Sequence, residues 1–195
     1  MTNIMETLYD VIFEPAKAMK DIAGGKKVKQ AFIAFFVSTI LPVWALSKGL
    51  ATANMIDFTM VISIMHVFGS LLIWFAGAAV FGLTAELFGG QGTVAGLFSA
   101  MGFIHIPKLF AIPLWALSIL LPPGVRPFWQ VAGIVMIAIW TLYLEIAAIK
   151  GTYRISGSKA VLVLLFPAAA MLLMLVLAAV FLGVSAMSAM PMRWL

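Results

Sequence analysis

The sequence predicts an all-α integral membrane protein, with five transmembrane helices preceded by an amphipathic interfacial helix. Three observations carry that prediction. Hydrophobic residues make up 64% of the 195 residues and charged residues 10%, with a mean hydropathy of +1.15. Soluble domains hold about 45–50% apolar and about 25% charged residues, so a soluble fold of this size could not hide so much apolar surface. Five apolar stretches run approximately over 31–50, 58–84, 93–121, 128–149 and 160–187. Each meets the ~20 residues that a spanning helix needs. Finally, an amphipathic segment and a lysine cluster stand directly before the first stretch.

Residues 1–29 form a separate element, expected on the cytoplasmic side. Ile4, Leu8, Ile12, Ala16 and Met19 recur three or four apart, with Glu6, Asp10, Glu14, Lys17 and Asp21 between them. That is the pattern of an amphipathic helix. Glu14-Pro15 reads as a restart, because proline fits the first turn of a helix, and Gly24-Gly25 reads as an end. Lys26, Lys27 and Lys29 follow. Two placements fit: a helix on the membrane surface with these lysines on anionic headgroups, or the same helix packed on the protein.

The five-span domain covers 30–187. Pro42 in the first span, Pro107 and Pro113 in the third and Pro167 in the fifth are expected kinks. The third span is too long for a straight perpendicular crossing, so it must tilt, kink or partly re-enter. Ala78 and Gly82 are spaced four apart, as are Gly92, Gly96 and Ala100. Such spacing predicts close contact between the second and third spans. Trp44, Trp115 and Trp129 towards the outer ends and Tyr9 and Tyr153 near the inner side read as an aromatic belt, with His66 an interfacial histidine.

Loop cations set the orientation. One side holds Lys17, Lys20, Lys26, Lys27, Lys29, Lys150, Arg154 and Lys159, and the other only Lys48, Arg126 and Arg193. Eight against three predicts a cytoplasmic amino end and an outer carboxyl end with a short tail at 188–195. The net charge of +5 lies beside apolar spans rather than among exposed aromatics, so the expected partner is anionic lipid and not nucleic acid. The absence of cysteine excludes disulfides, thiol catalysis and thiolate metal sites. The start, MTNIMETLYDVIFEP, has no basic region leading into an apolar run and does not read as a secretory signal.

Charges inside a membrane are costly and mark sites or buried pairs. Glu86, His105, Lys108 and Glu145 are the candidates for a polar centre. His105 and Lys108, three apart, share a helical face, and Pro107 between them frees a carbonyl nearby. As a functional group, Lys108 would be neutralised by Glu145 or Glu86, with His105 exchanging a proton. As a structural one, Lys108 snorkels or ties two helices together. Depth opposes the pairing: Lys108 would lie roughly 22 Å into a straight third span and Glu145 about 6–8 Å from the inner surface. There is no HExxH, no GxSxG and no intramembrane aspartate pair, and GGQGT (Gly89 to Thr93) lacks the lysine and preceding strand of a phosphate loop. No catalytic residue, metal site or cofactor is expected.

Three segments resemble one known family. PAKAMKDIAGG (Pro15 to Gly25) looks like its proline-led helix before the first span. GGQGTVAGLFSAMGFIHIPKLF (Gly89 to Phe110) looks like its glycine-rich turn and following helix. WTLYLEIAAIKGTYRISGSKA (Trp140 to Ala160) resembles its fourth span and the Ser-x-x-Lys-Ala loop. The family is the Yip domain family, the Ypt/Rab-interacting membrane proteins, in the compact form of bacteria and archaea. The resemblance implies five spans and a cytoplasmic amino end, and with them the plasma membrane of a prokaryote as the expected location. Eukaryotic members associate with Rab GTPases in vesicle traffic, through a long amino-terminal region that this sequence lacks. The expected function is therefore non-enzymatic, through contacts with membrane proteins, lipids or other copies of the chain. The alternative is a small-solute or proton-linked transporter or channel centred on the third span.

Overall fold

The computed structural model describes residues 4–50 and 56–189. All regular structure among them is helical: α1 (Ile4–Phe13), α2 (Pro15–Gly25), α3 (Val28–Leu50), α4 (Ile56–Leu87), α5 (Val94–Phe103), a 3-10 turn (Ile106–Phe110), α6 (Ala111–Ile119), α7 (Arg126–Tyr153) and α8 (Gly157–Ala189). Five runs are long and apolar enough to cross a membrane: Val28–Ala45, Met60–Leu87, Val94–Ile119, Arg126–Tyr153 and Gly157–Leu182. Most of the expected tail, with Arg193, lies outside the described residues.

The amino-terminal element is two helices that meet at Glu14, and Pro15 opens the second, where its missing N–H costs nothing. α2 takes the packed placement, with Ala18, Met19, Ile22 and Ala23 buried against α5 and α7. α1 buries Thr7 and Val11, whereas Ile4, Leu8 and Ile12 of its expected apolar face are only half-buried. Met5, Tyr9 and Phe13 form a further stripe, between 61% and 68% exposed. α2 ends after Gly25, as the glycine pair predicts, but the left-handed residue is Lys26 at φ 45°. The amides of Lys26 and Lys27 bond back to Ala23 and Ile22, closing a Schellman turn on the orphan carbonyls.

The third span is broken, as its length requires. α5 stops at Phe103, Pro107 lies in the 3-10 turn and Pro113 in the first turn of α6. These are positions where a missing proline N–H is tolerated. Pro42 and Pro167, by contrast, lie inside the unbroken helices α3 and α8.

The core runs from α2 and α7 through α5, and its aromatic part sits where α3, α4 and α5 meet. The Trp74 indole stacks between Phe35 and Phe98, with ring centroids 4.7 and 4.2 Å away. Its Nε1–H donates to the Phe98 carbonyl at 3.0 Å, so the one polar atom of the ring is satisfied. Gly102 lets α3 and α5 touch: a methyl group there would meet the Ala31 Cβ at 2.6 Å. The expected contact of the second and third spans forms, since α4 packs on α5. Its small-residue register is different, however. Gly82 faces Val94 and Tyr153, whereas Gly92 faces Thr152 and Tyr153, and Gly96 faces Ala23 and Thr152. Gly92 and Gly96 thus make room for α2 and α7, not mainly for α4.

At the far end, Arg126 closes the α6–α7 corner. Its guanidinium donates to the carbonyls of Ser118, Ile119 and Leu121 at 3.1–3.2 Å, satisfying the open end of α6. Trp129 adds an indole N–H bond to the Leu114 carbonyl at 3.0 Å.

Candidate functional site

The four polar candidates of the membrane interior do not gather into one centre. Among the described residues, no hydrogen bond or ion pair joins Lys108 to Glu145 or Glu86, although the break in the third span is the condition under which they could have met. Lys108 and Glu145 are half-buried on different elements, and Glu86 is exposed near the end of α4. His105 packs edge-on against Phe35, centroids 5.0 Å apart, and its two ring nitrogens are buried without a hydrogen-bond partner.

The charges that do converge lie at the end of the bundle where α2, the 88–93 turn and the end of α7 meet. The α4 side of this turn is set by Gly89 at φ 81°, a left-handed value that suits glycine. Gly89 and Gly90 donate to the carbonyls of Glu86 and Ala85, a second Schellman turn. The Gln91 amide then donates to the Tyr153 carbonyl at 2.9 Å, pinning the turn to α7. Gly92 makes this approach possible, because a methyl group there would lie 2.6 Å from the Thr152 carbonyl oxygen. Tyr153, expected in an interfacial belt, is instead fully buried beneath the turn. Lys159 reaches the Phe88 carbonyl at 3.1 Å from the start of α8.

Between these parts opens a cavity of about 550 Å³, lined among others by Lys20, Asp21, Lys26, Gln91, Thr152 and Arg154. A neighbouring hollow of about 560 Å³ shares Lys20 and Arg154 and adds Lys150. Lys20, Lys26, Lys150 and Arg154 are exposed, and among the described residues none of these four side chains has an ion pair or hydrogen bond. Arg154, like Lys26, is a left-handed residue after its helix, at φ 55°. Of the lysines expected on headgroups, only Lys26 lines the cavity. Lys27 donates to the Thr7 hydroxyl at 3.2 Å and so ties α1 to the bundle, and Lys29 is exposed on α3. Sequence reasoning counted Lys20, Lys150 and Arg154 towards orientation but had no signal that they share a surface, since they come from separate stretches of chain.

A family model, the Yip1 domain, matches residues 9–179, which is most of the chain and includes every element around the cavity. No curated protein and no solved structure matches.

Proposed function

We propose, from the premise that the chain belongs to the Yip1 domain family, that this multi-pass membrane protein is non-enzymatic and works through contacts with membrane proteins or lipids. The observation that carries this reading is the set of four cations around the α2–α7 cavity, unpaired among the described residues, together with the exposed apolar stripe of α1, the helix that packs on α2. A basic surface next to an apolar one fits the boundary of an anionic membrane. In this reading the basic end faces the cytoplasm of a prokaryotic cell and the α6–α7 corner faces outward. Site-specific photocrosslinking from positions 20 and 154 in native membranes tests it. Reproducible adducts with protein or lipid are expected, and recovery of the chain alone would overturn it.

The transporter alternative draws on His105, Lys108, Glu86 and Glu145, and no contact among those groups favours it. Proton or solute flux in liposomes that disappears in Lys108→Ala, with the variant still folded, would replace the present reading with that one.

A further inference from the structure

We infer that the cavity between α2 and the end of α7 is a built site for the phosphate-bearing headgroup of an anionic glycerophospholipid, held by Lys20, Lys26 and Arg154. The inference deepens the lipid-contact reading above and rests on it.

Four features of the cavity point to a phosphate. Three cations line it against one carboxylate, Asp21, and Lys150 stands in the adjoining hollow. None of these cations is neutralised by a neighbour among the described residues. The turn that opens α5 also lines the cavity through Thr93, whose hydroxyl accepts from the Gly96 amide, so a helix start with its open N–H groups stands at the rim. Lastly, Thr152 lines the cavity and is 8% exposed, and its Oγ1 has no hydrogen-bond partner. A buried hydroxyl left unpaired is costly, and a turn of the Thr152 side chain towards the cavity would give it a phosphate oxygen as acceptor.

Position selects a lipid over a soluble phosphate. Gly151 and Thr152 belong to the last turn of a membrane-crossing helix, so the cavity opens at the level where headgroups lie. Packing of α2 on α5 and α7 fixes Lys20 at that level, because Ala18, Met19 and Ile22 are buried against the bundle, and the turn that closes α2 carries Lys26.

The test uses the full chain in detergent and short-chain dioctanoyl lipids. Dioctanoyl phosphatidylglycerol should bind saturably, and the uncharged-overall phosphatidylcholine analogue should bind much more weakly. The triple variant K20Q/K26Q/R154Q should lose affinity by at least about tenfold, whereas K17Q/K29Q, which removes cations elsewhere on the same end, should change it less than about twofold. Asp21→Asn, an exposed change that leaves the fold alone, should tighten binding, which keeps the inference testable if the triple variant fails to fold. Equal losses in the two lysine variants would reduce the cavity to diffuse surface charge and overturn the site. Full competition by inorganic phosphate at equal concentration would make it a soluble-anion site and overturn the lipid assignment. Absence of saturable binding, with the crosslinks from positions 20 and 154 to proteins still present, would sink this inference while leaving the wider reading in place.

Discussion

Lys26 and Arg154 hold left-handed backbone at positions where glycine is the usual occupant. Left-handed geometry costs a side-chain-bearing residue about 1–2 kcal/mol. A cation at a helix end recovers about 0.3–1 kcal/mol from the dipole. Avoiding the entropy that glycine loses on folding recovers about 0.4–1 kcal/mol more. These contributions roughly cancel, so each cation adds charge beside the cavity at little net stability. Lys26→Gly should therefore leave thermal stability within about 0.5 kcal/mol of wild type while weakening phosphatidylglycerol binding. A large loss of melting temperature would show that Lys26 is a structural cap. Thr152→Val tests the same end from inside. It replaces an unpaired buried hydroxyl with a methyl of similar size, so the lipid-free protein should gain up to about 1–3 kcal/mol and bind lipid less well. His105→Phe applies the same logic within the membrane. Phenylalanine keeps the edge contact with Phe35 and removes two unsatisfied nitrogens, so detergent melting should rise. A fall would show that His105 has a polar partner in the membrane.

At the scale of elements, close approach decides more than hydrophobicity does. Gly102→Ala would drive a methyl group to within 2.6–2.9 Å of Ala31, whose backbone lies inside α3 and cannot step aside cheaply. Overpacking of this kind costs about 1–3 kcal/mol. Gly69→Ala, where nothing lies within 4 Å, is the control and should be neutral or slightly stabilising. α2 is held by apolar burial, so Ile22→Ala should cost about 2–5 kcal/mol and raise protease cleavage around Lys26–Lys29. Unchanged cleavage would mean that α2 is fixed by other contacts. The sequence showed α1 and α2 clearly, because their amphipathic spacing and Pro15 are local signals. It misassigned the partners of Gly92 and Gly96, because a small residue announces a close contact without naming the surface across it.

At the scale of the whole molecule, the long helices α4 and α8 need lipid around them. From Met171 to Leu182, every leucine, methionine, valine and phenylalanine of α8 is at least half exposed. Such a surface is stable only in hydrocarbon. The chain has no native cysteine, so labelling is clean: Lys20→Cys should react only from the cytoplasmic side and Val125→Cys only from outside. The opposite result would invert the molecule and move the basic cavity away from the cytoplasmic leaflet. Membrane class, five spans and the gathering of cations at one end were determined by the sequence alone. Lipid imposes those rules locally, since each span must be apolar and must satisfy its own backbone. Only the tertiary structure decided that Tyr153 is core, that Trp74 joins three helices, that Lys108 meets neither glutamate, and that Lys20, Lys26, Thr152 and Arg154 share a cavity. In water a helix marks its buried face by being apolar. In a bilayer the lipid-facing side is equally apolar, so hydropathy cannot say which residues face each other, and that information resides in the packing.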